Sequence, residues 1–221
     1  MTNKIDEMEK EKTPTIKDMF INCSIEDAVS RIELEELNGY FGSYTCTNGW
    51  FLRKRFLRKS YCGFKASDVI WVYPKQTKQS AVVILVPIPL GSYYNIVCKL
   101  SNGEEITLSN NECTKQGEKI PAKCDDILQQ LQLLIPWAIF GYSEYLKECW
   151  EKHWNIFLRV HNERLAKIQE GLKNGSIIVL PNGSLAVSPT FTLPTIAMKF
   201  EQTSKGKLER VYYQTESQQT T

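Results

Sequence analysis

With 221 residues, 42% hydrophobic and 24% charged, the chain is long enough to bury a core of its own and too ordinary in composition to be disordered or fibrous as a whole. Its formal net charge of +2 excludes the strongly basic balance with which nucleic acid or an anionic membrane is usually met, so any such contact has to be local. Seven cysteines, Cys23, Cys46, Cys62, Cys98, Cys113, Cys124 and Cys149, are an odd set without a C-x-x-C pair, which argues against a zinc ribbon or a complete disulfide framework and for free thiols.

Residues 1–15 are polar and charged without periodicity and read as a disordered lead-in. They hold no apolar stretch of the signal-peptide kind, and the runs 81–87 and 131–140 are too short to span a bilayer, so a cytoplasmic protein without a transmembrane segment is expected. Residues 16–140 follow as a helical N-terminus and a β domain. A short helix is expected over 14–21. Ser24 is placed to cap a second one, with Asp27 in its first turn and Ile25, Ala28, Val29, Ile32 and Leu37 at helical spacing before Asn38-Gly39.

From Tyr40 the texture changes to short β-rich runs. Tyr44–Thr47, the turn dipeptide Asn48-Gly49 and the run from Trp50 to Leu57 predict a hairpin, because Asn-Gly tolerates the positive φ values a tight turn needs. Ser67 to Pro74 is apolar on both faces and reads as a strand covered on both sides. Runs at 81–86, 93–100 and 104–108 complete an antiparallel set, followed by a polar loop over 109–119. Pro121 then opens a capping helix with Ile127, Leu128, Leu131, Leu134 and Ile135 on one face, ended by Pro136.

Residues 141–175 predict one long amphipathic helix capped by Ser143, striped by Leu146, Trp150, Phe157, Val160, Ile168 and Leu172, and closed by Asn174-Gly175. Residues 176–215 form a small C-terminal β appendage of hairpins around Pro181-Asn182-Gly183 and Lys205-Gly206, and 216–221 a frayed tail. The fold class is therefore α+β.

The stretches ELNGYFGSYTCTNGWFLRKRF, SDVIWVYPKQTK, YYNIVCKLSNGEEITL and LIPWAIFGYSEYLKECW place antiparallel strands before one helix. Over Gly39 to Arg164 the chain resembles a group of uncharacterised bacterial proteins, a domain of unknown function with a pleckstrin-homology-like barrel. The marks are Asp68 to Tyr73, with Trp71 and Tyr73, and Pro136 to Gly141, with Trp137, Phe140 and Gly141. The resemblance implies a barrel closed by a helix and no catalytic motif.

Three candidate sites follow from the residues. Arg53, Lys54, Arg55, Arg58 and Lys59 alternate with aromatic residues and could hold an anionic lipid or another phosphate-bearing ligand; tracking of single-stranded nucleic acid is the weaker alternative, and a solvated face that protects an exposed strand is the plain one. Trp137, Phe140, Tyr142, Tyr145, Trp150 and Trp154 crowd the junction of two helices and form either a packed hinge or an interaction surface. Cys149 and His153, four apart on a helix, have the spacing of a thiolate and its base or of two metal ligands, although two ligands make no site and core packing of Cys149 beside the apolar stripe is the plain reading. The leading expectation is a non-enzymatic binding protein with a protein partner or a second copy of itself. Its alternatives are peripheral lipid binding through the basic run and a thiol or metal enzyme at Cys149 and His153. No cofactor is implied.

Overall fold

No residue from Val69 to Tyr73 is more than 6% exposed, and the run contributes side chains to both hydrophobic cores of the described residues. A computed structural model of the chain describes residues 14–34, 40–41, 44–54, 60–83, 86–114 and 122–216. Residues 1–13 of the expected lead-in, Arg55, Arg58 and Lys59 of the basic run, and residues 217–221 of the expected tail lie outside the described residues, while Glu216, expected to be frayed, pairs with Pro194.

The first sheet is an antiparallel meander of β1 (Tyr40–Phe41), β2 (Tyr44–Thr47), β3 (Trp50–Lys54) and β4 (Tyr61–Lys65). Asn48 and Gly49, at φ 44° and 80°, make the two-residue turn that pairs Thr47 with Trp50, as the dipeptide predicts. Gly63 faces Leu52 across β3 and β4 at a point where a side chain has no room. A Cβ there would lie 2.2 Å from the Phe51 carbonyl oxygen and 2.7 Å from Leu52 Cδ2. Gly63→Ala is expected to cost about 2 kcal/mol or more, read as a lower urea midpoint at unchanged slope; an unchanged midpoint would show that the two strands separate freely.

The second sheet, in the order β7-β6-β5-β8, contains β5 (Val69–Val83), β6 (Val86–Leu100), β7 (Glu105–Thr114) and β8 (Ile139–Phe140). The separate runs expected at 67–74, 81–86 and 93–100 merge into two strands of 15 residues, which stay paired through the polar stretch from Lys75↔Asn95 to Lys78↔Ser92. Main-chain pairing continues where side-chain hydrophobicity stops, and for the same reason β7 extends into the expected loop over 109–119. β8 runs parallel to β5, pairing Ile139 with Trp71 and Phe140 with Val72. The described strands form four separate sheets, so the class is α+β and no closed barrel is found among the described residues.

A register shift between Val69 and Trp71 sorts β5 between two cores. Val69 and Val72 join Phe51, Phe64, Ile96, Leu108, Leu131 and Trp137 in the first, which involves both main sheets and α2 (Ala122–Leu134). Ile70, Trp71 and Tyr73 join Val97, Cys149, Phe157 and Val160 in the second. Near the N-terminus a single 3-10 turn at Asp18–Phe20 replaces the short helix expected over 14–21, and α1 (Ile25–Leu34) starts where Ser24 Oγ accepts the Asp27 N–H at 3.1 Å.

The single helix expected within 141–175 is two: α3 (Glu144–Lys152), whose first turn donates the Leu146 N–H to Ser143 Oγ, and α4 (Trp154–Asn174), ended by Gly175 at φ 79°. The helix breaks at His153, whose φ of −135° and ψ of 44° leave the helical region. The break loses little hydrogen bonding, because the His153 N–H still reaches Cys149 O at 2.8 Å and the His153 carbonyl accepts the Ile156 N–H at 2.9 Å. The imidazole meanwhile lies 5.0 Å from the ring of Tyr212.

The C-terminal residues form two hairpins, β9 (Ile177–Val179) with β10 (Leu185–Val187), and β11 (Pro194–Gln202) with β12 (Leu208–Glu216). Neither joins a main sheet. They are nevertheless docked: Ile177 is buried in the first core, and Ile196 and Tyr212 in the second. Glu148 on α3 holds β12, accepting from the Tyr212 hydroxyl at 2.8 Å and from Arg210 Nη1 at 2.5 Å; with Lys152 these donors pull its carboxyl down to about 2, the Tyr212 hydrogen bond leading.

Candidate functional site: an aromatic cleft between sheet and helix

On the second-core side of β5, the period-two alternation of a strand puts Trp71, Tyr73 and Lys75 on one face. Sheet register aligns Trp71 with Lys99 on β6 and Lys99 with Glu105 on β7. Opposite this row stand Tyr142, just before α3, and Lys147, Trp150 and Glu151 on α3. Between them is a cavity of about 660 Å³, well within the ~300–1,000 Å³ typical of ligand sites.

Gly141 determines how the two walls meet. Its N–H donates to Val72 O at 2.9 Å, and its carbonyl accepts the Trp71 Nε1–H at 2.7 Å. At φ 92° it takes a conformation that favours glycine and turns the chain so that Tyr142 comes over Trp71, their rings 13° apart in plane with centroids 6.1 Å apart. Tyr73 lies 4.4 Å from Trp71 and 5.4 Å from Tyr142, and Trp150 closes the other side at 6.0 Å from Trp71. Trp150 is itself braced edge-on by Trp154 at 4.3 Å and by Phe157 at 5.3 Å. Trp71 is only 1% exposed and Tyr142 is 46% exposed, so the cleft has a fixed wall and an open lip.

The polar groups are as ordered as the rings. Lys99 Nζ lies 2.6 Å from Glu105 Oε2 and 5.4 Å from the Trp150 ring centre, while Lys75 Nζ lies 3.1 Å from Glu105 Oε1. The Lys99 hydrogen bond, the largest influence, holds the Glu105 carboxyl below its usual range against partial burial, with Lys75 adding to it. Burial, then Glu105 and Tyr142, push the Tyr73 hydroxyl up to about 12. At the lip the Tyr142 hydroxyl donates to Glu144 Oε1 at 2.8 Å, and that bond raises its pKa.

The six aromatic residues singled out in the sequence divide among the cleft and the two cores. Tyr142 and Trp150 line the cleft; Tyr145 and Trp154 pack against the second core behind it. Phe140 packs against the first core. Trp137 is wholly buried there, 4.8 Å from Phe20, its Nε1–H donating to Ala66 O at 3.3 Å. Trp71, Tyr73, Lys75, Lys99 and Glu105 are the site residues that sequence reasoning missed. The available signal was the alternation Trp71, Tyr73, Lys75, which gives one strand face both rings and a charge.

Of the basic run, Arg53 and Lys54 are exposed at the end of β3, and the Arg53 guanidinium lies 5.3 Å from the Tyr44 ring centre. Cys149 is buried in the second core, which pushes its thiol up to about 11, and the His153 ring lies against Tyr212. Among the described residues no group of three or more His, Cys, Asp or Glu side chains is placed to hold a metal ion, and no helix is long and apolar enough to cross a membrane. No family model, curated protein or solved structure matches the chain.

Proposed function

We propose that this protein is a non-enzymatic binding module that takes up part of a protein partner in the aromatic cleft between β5, β6 and α3. The observation that carries this reading is the convergence of Trp71, Tyr73, Tyr142 and Trp150 around open space, where Tyr142, stacked on Trp71, and Trp150, braced by Trp154 and Phe157, offer aromatic contact with little side-chain entropy left to lose. The position of Cys149 supports a binder over a thiol catalyst, because a buried thiol with a raised pKa is a poor nucleophile. The pleckstrin-homology-like reading of the β domain is part of the same proposal. It is supported by the order of the elements, two antiparallel meanders followed by α2.

A library of short peptides of mixed composition, titrated into the isotope-labelled full chain, tests the proposal through the indole N–H resonances of Trp71 and Trp150. Binding peptides are expected to move both signals, and to move neither in Tyr142→Ala, which truncates an exposed ring and spares the core. Peptides that bind without moving these signals, or that bind Tyr142→Ala equally well, would place recognition elsewhere.

A further inference from the structure

We infer that the segment held in this cleft carries an aromatic side chain next to an acidic one. The inference rests on the binding reading above and names the chemistry of its ligand. Its first basis is the disposition of charge. Lys75 and Lys99 share the single carboxylate of Glu105, so this triad on the sheet wall holds one positive charge more than it neutralises, whereas on the helix side Lys147 balances Glu151 and the further carboxylate of Glu144 is engaged by the Tyr142 hydroxyl at the lip.

The second basis is that the aromatic face best suited to a ligand cation is already in use. Lys99, its side chain only 16% exposed, lies 5.4 Å from the Trp150 ring centre, so an incoming ammonium group would meet a like charge beside the ring that could attract it. A carboxylate meets the opposite situation. Each lysine ammonium has three donors, and Glu105 engages only part of that capacity, so a second carboxylate can accept from Lys75 and Lys99 without displacing the first.

The third basis is distance along the cleft. Trp71 and Lys99 are direct cross-strand partners, and Tyr73 and Lys75 are neighbours on one strand face, so an aromatic group against the rings and a carboxylate at the lysines lie within one or two residues of each other in an extended peptide. The lip is open where Tyr142 is 46% exposed and the Lys75 side chain 52% exposed, which suits a chain passing through over an enclosed small molecule.

The test uses four acetylated, amidated hexapeptides, Gly-Ser-Phe-Glu-Ser-Gly and its versions with Gln or Lys in place of Glu and Ala in place of Phe, titrated into the labelled full chain and read at the Trp71 and Trp150 indoles. The Phe-Glu peptide is expected to bind about tenfold more tightly than the other three, and Lys75→Gln, a change at an exposed side chain, to remove most of its advantage over the Gln peptide. Equal binding of the Gln or Lys peptide, or an advantage undiminished in Lys75→Gln, overturns the acidic requirement; equal binding of the Ala peptide overturns the aromatic one. If none of the four binds while other library peptides move the same indoles, the ligand chemistry is overturned and the cleft remains the binding site. If neither set moves them, both readings fall.

Discussion

Arg164→Met is expected to lower the free energy of unfolding by about 3–5 kcal/mol, a large part of the ~5–15 kcal/mol available to a domain. Arg164 sits in α4 with its side chain largely buried, and its guanidinium faces main-chain carbonyls. Nε donates to Trp137 O at 2.8 Å, Nη1 to Pro194 O at 2.9 Å, and Nη2 to Pro136 O at 2.9 Å and Ala138 O at 3.1 Å. One planar group thereby joins three pieces of chain: α4, the turn between α2 and β8, and the start of β11. Burial lowers its pKa to about 10, which still leaves it charged at neutral pH.

A buried ion pair can often be replaced by apolar residues at little cost, but here the partners are backbone carbonyls that no substitution removes. Methionine would leave them facing an apolar side chain. Arg164→Lys keeps the charge but not the fork, since an ammonium cannot donate in plane to four acceptors, and a loss of about 2–3 kcal/mol is expected. Urea unfolding followed by circular dichroism measures both. A loss below about 1 kcal/mol for Arg164→Met would mean that water replaces the guanidinium at these carbonyls and that the joint is held by apolar contacts alone.

This joint also shows where local sequence patterns end. Asn48-Gly49, Ser24, Ser143 and Gly175 are legible because a turn or a cap is decided by a few adjacent residues. Val69 to Tyr73 is legible as a strand covered on both faces because burial on both sides leaves a continuous apolar run. The parallel contact of β8 with β5 is not, since Ile139 and Phe140 are two residues whose partners lie far back in the chain. The same limit applies to the cleft. Its walls come from β5, β6, β7 and α3, and nothing near Trp150 in sequence distinguishes it from Trp137, yet one lines open space and the other is sealed beneath Phe20. Even the helix stripe misleads at one point: Leu146, Trp150, Phe157 and Val160 keep helical spacing through His153, where the backbone leaves the helix.

The second large effect comes from His161 on α4, which is 2% exposed. Its Nε2 lies 3.0 Å from Ser67 O, and a carbonyl only accepts, so Nε2 carries the proton. Nδ1 is buried with no hydrogen-bond partner among the described residues. Protonating the ring would place a proton on that nitrogen and a charge out of water near the Arg164 guanidinium. Burial is the main cause and Arg164 adds to it; together they outweigh the Ser67 hydrogen bond and bring the pKa from 6.5 down to about 4. Between these values the unfolded chain binds the proton and the folded one does not, so the stabilising contribution is complete above about pH 6.5 and is lost as pH falls to about 4. The size is about 3 kcal/mol.

His161→Gln keeps an N–H that can reach the Ser67 carbonyl and does not titrate. Its stability should therefore change little between pH 6.5 and 5, above the range of ordinary carboxylates, while the parent protein weakens steadily over the same interval. Chemical unfolding of both proteins at several pH values separates the outcomes. Parallel curves would show that His161 titrates alike in the folded and the unfolded protein, as an imidazole that reaches solvent does. Converging curves, with the parent losing its advantage as the pH falls, would establish that a neutral imidazole beneath the β5 strand is part of what holds α4 in place.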